Sequence, residues 1–140
     1  MKKIALLLAA VLSLALIFSA CTPSYTWEDA EKDMERLKEI GFEIYIENTE
    51  EEVEYHNDAV NSQIKQEGAN FTVEYVKVCG LVINKYDIIV FEEFKTEKQA
   101  KNIYEHWTSA KSQMKYVRFG KIVIGANAQE ALDLLDYDFK

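Results

Sequence analysis

Residues 71–94, FTVEYVKVCGLVINKYDIIVFEEF, decide the predicted fold. Valine, isoleucine and aromatic residues dominate both halves of this stretch, a composition typical of β-strands. Asn84-Lys85 separates the halves, and a two-residue turn there would make a hairpin, although lysine is a poor choice for a positive φ angle. Gly80 is the alternative position, as a bulge or as the true turn. We therefore expect strands over 71–83 and 86–94.

Two helices and a strand precede this hairpin. Apolar residues recur at helical spacing over 27–40, and the segment 49–67 carries a thinner apolar stripe. Thr26 with Asp29, and Thr49 with Glu52, are possible capping boxes for these two helices. Between them, residues 42–47 alternate apolar and polar side chains, which predicts a half-buried strand.

A third helix follows the hairpin, opened by Thr96 with Gln99 at the capping-box positions. The segment 116–125 is strand-like, either as one strand or as a hairpin that turns at Gly120-Lys121. Asn127 with Glu130 then opens a final short helix. The predicted order along the chain is α-β-α-β-β-α-β-α.

The middle six elements have the β-α-β-β-α-β order of the ferredoxin-like arrangement. We therefore predict an α+β fold: a two-layer sandwich with a mainly antiparallel sheet and helices on one face, extended by the N- and C-terminal helices. The units 71–112 and 116–136 each read as a hairpin followed by a helix. If they are a degenerate repeat, a TATA-binding-protein-like curved sheet is the alternative.

The N-terminal end has the layout of a secretory signal. Lys2 and Lys3 provide a positive start, residues 4–18 form an apolar run, and Ser19 and Ala20 place small side chains before Cys21. The apolar run is shorter than the roughly 20 residues that a membrane-spanning helix needs. We therefore expect residues 1–20 to be a signal peptide.

The segment Phe18-Ser19-Ala20-Cys21 resembles the lipobox of bacterial lipoproteins, with Phe18 in place of the usual leucine. The resemblance implies that the Cys21 sulfur receives a diacylglyceryl group and that a peptidase cuts before Cys21. Two or more acyl chains, such as palmitate, hold a protein stably on a membrane, whereas one chain holds it marginally. The implied location is extracytoplasmic, with a lipid anchor in the cell membrane. An ordinary secretory signal with an incidental cysteine is the alternative.

Residues 21–26 would then be a lipidated tether and residues 27–140 a single domain. Within the tether, Tyr25 and the adjacent Trp27 suit the lipid headgroup level; alternatively, Trp27 starts the core face of the first helix. Cys79 has no intrachain partner once Cys21 is lipidated, and its apolar neighbours predict a buried, unreactive thiol.

Negative charge is concentrated at the start of the mature chain. Residues 28–58 contain 13 acidic and three basic side chains, whereas residues 59–140 contain 11 of each. Such a surface repels nucleic acid and anionic lipid headgroups and attracts cations or a basic partner. We therefore expect no nucleic-acid partner.

Motifs for catalysis, cofactors or metals are missing from the sequence. The five glycines are scattered, and no zinc-binding cysteine pair or EF-hand spacing occurs. Glu52 and His56, like Glu54 and Asp58, are four residues apart on a predicted helix. Pairs at this spacing can share a divalent ion, but the same spacing suits a solvated acidic face. His106 has no identifiable partner. We therefore predict no catalytic, cofactor-binding or metal-ligating residue, and lipidation at Cys21.

The expected function is non-catalytic binding. The layout is similar to that of many small uncharacterised bacterial lipoproteins, which suggests a membrane-anchored module of the cell envelope. We expect it to bind an envelope protein through its sheet face or its acidic helix. The alternative is a lipid-anchored protein that binds cations or small solutes through the acidic region 43–58. An enzyme is not expected.

Overall fold

The computed structural model describes residues 24–140. The predicted signal peptide and Cys21 lie outside these residues. Within them, no helix is both long enough and apolar enough to cross a membrane. Four helices and five strands follow one another along this part of the chain: α1 (Trp27–Glu39), β1 (Glu43–Ile46), α2 (Glu50–Gln66), β2 (Tyr75–Ile83), β3 (Asp87–Phe94), α3 (Glu97–Ser109), β4 (Lys115–Phe119), β5 (Ile122–Ala126) and α4 (Gln129–Leu135).

Threonine side chains begin the first three helices, as predicted. The hydroxyls of Thr26, Thr49 and Thr96 each accept a hydrogen bond from a backbone N–H three residues later. At α1 the capping box is complete, because the Thr26 backbone N–H also donates to the Asp29 carboxylate at 2.8 Å. These bonds satisfy donors that have no partner inside the helix.

The predicted cap of the last helix is wrong. Helix α4 begins after Ala128, which has no capping side chain. The Asn127 side chain instead accepts a hydrogen bond from the Ile88 backbone N–H at 2.7 Å. Asn127 therefore joins the end of β5 to β3, a contact between residues 39 positions apart that local spacing cannot reveal.

The first hairpin turns at residues 84–86, one residue more than the predicted two-residue turn, because Ile83 pairs with Asp87. Asn84 and Lys85 have φ angles of 55° and 70° in this turn. Gly80 lies within β2 instead, where an added Cβ would stand 2.9 Å from Ile46 Cδ1. The strand pairing shifts register next to it, between Ile44 and Ile46. Gly80 therefore marks a bulge and a close contact between strands. The segment 115–126 is a hairpin, with Gly120 at a φ of 56° in its turn.

The strand order across the sheet is β1-β2-β3-β5-β4, and every neighbouring pair is antiparallel. The predicted α+β class and antiparallel sheet are confirmed. The ferredoxin-like pairing is not observed, because in a split βαβ unit another strand lies between the two strands that flank the helix, whereas here β1 pairs directly with β2. Here the two hairpins lie side by side through β3 and β5, and β1 adds antiparallel to the outer side of β2.

Helices lie on both faces of the sheet, whereas the prediction placed them on one. Neighbouring residues of β5 belong to different apolar clusters: Ile124 packs with α1 and α4, and Val123 packs with α2 and α3. Since successive strand residues point to opposite faces, each face carries two helices. All five residues of β5 are buried, as expected for a strand that is covered on both faces. The strand order and the helices on both faces therefore differ from a TATA-binding-protein-like curved sheet.

Residues before α1 are fastened to the domain by a buried carboxylate. The Tyr25 and Tyr137 hydroxyls donate to Asp33 Oδ2 at 2.8 and 2.5 Å. Arg36 donates to Asp33 Oδ1 at 3.1 Å, and the Tyr25 ring stacks on Phe119 at 4.6 Å between centroids. Tyr25 therefore belongs to the folded domain together with the C-terminal segment.

Trp27 is buried and begins the core face of α1, as the helical interpretation of this residue predicted.

Candidate functional site

Two depressions lie on opposite faces of the sheet. The first, here called the α1 groove, encloses about 520 Å³ between α1 and β1. Its apolar lining is formed by Trp27, Met34, Ile44 and Cys79. The polar side chains around it are mostly acidic: Glu28, Glu31, Glu35 and Glu47, with Lys32, Lys38 and Asn48.

Some of the acidic side chains around the α1 groove are already paired. Lys32 lies 3.2 Å from Glu28, and Lys38 lies 2.7 Å from Glu35. Within residues 24–140, Glu31 and Glu47 have no such ion pair. The groove therefore combines an apolar floor with unneutralised negative charge at its rim.

The outer edge of the sheet beside the groove is open. Within residues 24–140, β1 pairs only with β2, so its other side presents backbone groups without a strand partner. Ile44 and Tyr45 on this strand are 47% and 66% exposed. At the opposite edge, Tyr116 on β4 exchanges two backbone hydrogen bonds with Lys140, which covers part of that edge.

Cys79 lies at the groove floor and is 6% exposed. Burial raises the pKa of its thiol, so the thiol stays protonated at neutral pH. This agrees with the predicted buried cysteine, since the thiolate is the nucleophilic form.

The acidic region 43–58 places Glu52 and His56 on one side of α2. The His56 Nδ1 atom is 2.9 Å from the Glu52 backbone oxygen and 3.8 Å from the Glu52 carboxylate. The first contact is a hydrogen bond to the main chain, so this ring nitrogen is occupied within the helix. Among the residues that the structure describes, no three histidine, cysteine, aspartate or glutamate side chains are grouped to hold a metal ion.

The second depression, here called the Glu92 pocket, is a cavity of about 320 Å³ between α2, α3 and the sheet. It brings together His56 from α2 and His106 from α3, the two histidines of the chain. Glu92 of β3 lies at its floor and is only 6% exposed. The other lining side chains are Gln63, Glu67, Val90, Trp107, Ala110, Ser112, Met114 and Tyr116, with Gly125.

Glu92 has an unusual electrostatic environment. Burial raises the pKa of its carboxyl from 4.5 to about 8, and the nearby Tyr75 hydroxyl partly opposes this by favouring the ionised form. No lysine or arginine lines the pocket. In the unoccupied pocket, Glu92 is therefore mostly protonated at neutral pH.

Two tyrosine hydroxyls lie near Glu92: Tyr116 lines the pocket, whereas Tyr75 is buried next to Glu92 and is not a lining residue. Burial, reinforced by Glu92, raises the pKa of Tyr75 well above 10, and the same two causes raise that of Tyr116. The Tyr75 hydroxyl is buried without a hydrogen-bond partner of ordinary geometry among residues 24–140. A buried donor or acceptor that makes no hydrogen bond destabilises the folded state by about 1–3 kcal/mol. The Tyr75 hydroxyl beside Glu92 therefore has unused hydrogen-bonding capacity.

The mouth of the Glu92 pocket is held by a contact between two helices. His106 on α3 contacts the Glu67 carboxylate at the end of α2. Hydrogen bonds from Gln63 and His106 lower the pKa of Glu67, so this carboxylate is ionised at neutral pH. Trp107 and Tyr116 stack beside it, with ring centroids 5.3 Å apart.

Sequence reasoning considered His56 and His106 separately and did not consider Glu92. The sequence did contain an indication that Glu92 is buried, because Glu92 shares a face of β3 with Val90 and Phe94. A carboxylate between apolar residues of a central strand indicates a buried charge. However, Glu93 next to it fits the opposite face equally well, and only the covering helices distinguish the two.

No protein-family model matches the chain, and no curated protein or solved structure is significantly similar to it.

Proposed function

We propose that this chain is a lipid-anchored protein of the cell envelope and that its domain is a non-catalytic module that binds a protein partner. The observation that carries the binding proposal is the open edge of β1 beside the acidic α1 groove. The partner that fits this surface is an extended, basic segment of another envelope protein. The lipid anchor rests on the lipobox-like segment that ends at Cys21.

An extended segment would add to the sheet as a strand next to β1. Main-chain hydrogen bonds supply affinity in such strand addition, and alternate side chains enter neighbouring pockets. The apolar floor of the α1 groove, with the half-exposed Ile44, suits one or two apolar side chains of that segment. The exposed strand is short, four residues, so main-chain pairing alone gives limited affinity.

Charge selects the partner. Glu31 and Glu47 at the groove rim have no ion pair within residues 24–140 and are positioned to attract lysine or arginine. Complementary charges chiefly raise the association rate and discriminate against wrong partners. An acidic segment would be repelled here, and a neutral segment would leave both carboxylates without a counter-charge.

The docking of Tyr25 supports a domain held close to its anchor. Tyr25 is stacked on Phe119 and bonded to Asp33. A fully extended chain from Cys21 to Tyr25 spans at most about 14 Å. The proposed partner segment therefore lies near the membrane surface. It is either at the end of an envelope protein that reaches this surface or next to the membrane-spanning part of such a protein.

Site-specific photo-crosslinking in intact cells tests the binding proposal. A benzoylphenylalanine replaces Tyr45 on β1, and the control places it at Lys115 on β4, the opposite edge strand, which is also exposed. We expect a discrete adduct from position 45 only. Mass spectrometry of that adduct should place the crosslink in a partner segment with net positive charge.

Charge reversal supplies the matched comparison. Glu31→Lys with Glu47→Lys should reduce the adduct from position 45 about tenfold, in the range that close charge pairs at interfaces contribute. Glu54→Lys with Asp58→Lys makes the same change in net charge at exposed positions of α2 outside the groove and should leave the adduct unchanged. Equal adducts from positions 45 and 115, or a crosslinked segment without positive charge, would contradict the proposal.

A further inference from the structure

We propose that the Glu92 pocket is a second binding site, for the primary ammonium group of a small organic amine. The site lies on the other face of the sheet from the α1 groove. This proposal can therefore be tested independently of the proposed protein partner. Three features support it: the buried carboxyl of Glu92, the Tyr75 hydroxyl beside it, and the apolar side chains of the pocket walls.

The floor of the pocket lacks a positive charge. Glu92 is 6% exposed and lines the cavity, yet no lysine or arginine is among the lining residues. Buried charges in proteins are almost always paired. A ligand that brings its own cation would supply the partner that the described chain does not.

Hydrogen bonding favours a primary ammonium over other cations. An ammonium group has three donors. The Glu92 carboxylate can accept two of these hydrogen bonds. The Tyr75 hydroxyl, which has no partner of ordinary geometry, is close enough to Glu92 to lower the pKa of its carboxyl. The Tyr116 hydroxyl lies near the same carboxyl. A quaternary ammonium has no donor and would leave these oxygens unsatisfied.

The walls suit a short hydrocarbon chain. Trp107 and Tyr116 stack on each other, and Val90, Ala110 and Met114 add further apolar surface. The volume of about 320 Å³ lies at the lower end of the range for small-molecule sites, roughly 300–1,000 Å³. A monoamine or diamine with a short alkyl chain fits this combination better than a large solute.

Other ligand classes fit less well. An anion would meet the Glu67 carboxylate at the mouth and Glu92 at the floor. A metal ion would need several histidine or carboxylate ligands together, and the described residues contain no such group of three. His106 is already engaged by Glu67, and His56 by the Glu52 main chain.

At pH 7 and below, binding should release about one proton. In the empty pocket burial holds a proton on Glu92, with a pKa of about 8, whereas the bound ammonium requires the ionised carboxylate. The amine stays charged, and the Glu92 proton passes to the solvent. The titratable side chains that surround Glu92 from each packed element are Tyr75 of β2, Tyr116 of β4, His56 of α2, Glu67 at the end of α2, and His106 of α3. Affinity should therefore rise about tenfold per pH unit up to pH 7 and level off above pH 8.

Isothermal titration calorimetry of the full-length chain with n-butylammonium at pH 8 tests the proposal. We expect saturable binding at one site. Repeating the titration in buffers of different ionisation enthalpy should show about half a proton released per bound ligand at pH 8, where Glu92 is about half ionised, and close to one at pH 7. Tetramethylammonium, which lacks donors, should bind at least tenfold more weakly. 1-Butanol, which has the same chain without the charge, should show no saturable binding.

Two isosteric variants keep the test specific. Glu92→Gln preserves the shape of the side chain and should weaken butylammonium binding about tenfold or more, since hydrogen bonds to a charged group are worth about 1.5–3 kcal/mol. Glu93→Gln makes the same change on the opposite face of β3 and should leave binding unchanged. Thermal unfolding establishes that both variants are folded. No saturable binding at millimolar butylammonium, equal binding of tetramethylammonium, or unchanged binding by Glu92→Gln would each overturn the proposal.

Discussion

Replacing Glu92 by glutamine should stabilise the domain, and the gain should increase with pH. Glu92 is buried at the floor of a cavity without a cationic partner among the lining residues. Ionising it inside the fold is therefore unfavourable, which is why burial raises its pKa to about 8. Glutamine keeps the size and hydrogen-bonding shape of the protonated carboxyl and has no proton to lose.

The sign of the pH dependence follows from the two pKa values. Below pH 4.5 Glu92 is protonated in both the unfolded and the folded chain, so its burial carries no penalty for charge. Between pH 4.5 and 8 the unfolded chain releases this proton and the folded chain retains it. The folded state then binds more protons than the unfolded state, and the free energy of unfolding falls as pH rises.

The shift in pKa from 4.5 to about 8 sets the magnitude. At about 1.4 kcal/mol per unit, the wild-type domain should lose roughly 3–5 kcal/mol of this contribution between pH 4 and pH 8. That is a large part of the total stability of a small domain, about 5–15 kcal/mol. The Glu92→Gln variant should lack this component, so the difference between variant and wild type should widen by the same amount.

Urea unfolding followed by tryptophan fluorescence at five pH values between 4 and 8 measures this difference. The control is Glu93→Gln, which alters the neighbouring glutamate on the opposite face, 3.8 Å from Lys77 and 23% exposed at its side chain. We expect the control to change the free energy of unfolding by about 0.5 kcal/mol or less at every pH. If Glu92→Gln and wild type show the same pH dependence, burial does not perturb Glu92 and the reasoning fails.

Three further predictions concern other parts of the molecule. Cys21→Ser should abolish lipidation and release the chain from the membrane fraction; a mutant that still sediments with membranes would contradict the lipid anchor. Asp33→Ala should lower the free energy of unfolding by about 2–4 kcal/mol, because it leaves the Tyr25 and Tyr137 hydroxyls and Arg36 without their shared acceptor. Glu35→Ala, on the exposed side of the same helix, should change it by less than about 0.5 kcal/mol in the same denaturation assay. Calcium should not raise the melting temperature; a specific rise would favour the alternative cation-binding function of residues 43–58.

Most helices and strands could be predicted because local interactions determine where they begin and end. Thr26, Thr49 and Thr96 bond to backbone groups three residues away, so each cap is contained in a few consecutive residues. The alternation over 42–47 and the β-branched run after Tyr75 locate strands in the same way, from neighbouring side chains. However, β1 is mostly exposed rather than half-buried as predicted, because it lies at the sheet edge. Asn127 failed as a predicted cap because its partner, Ile88, is remote in the sequence.

The two surfaces that carry the proposals were only partly visible in the sequence. The acidic region was evident from its charge, but the α1 groove required β1 to lie at the sheet edge beside α1. His56 and His106 were noted as isolated residues, and they meet in one pocket because α2 and α3 cover the same face. Glu92 could not be separated from Glu93 by pattern alone.

Composition, helix caps and periodicity act over a few residues, so they were enough to predict the α+β class, the capped helices and the concentration of negative charge. The pairing of the hairpins through β3 and β5, and the two helices on each face of the sheet, became visible only in the folded chain. These features depend on contacts between residues far apart in the chain, where the burial of both faces of β5 outweighs any local preference. For the same reason, one of two adjacent glutamates became a buried acid at the floor of a pocket, and the other remained beside Lys77 on the opposite face.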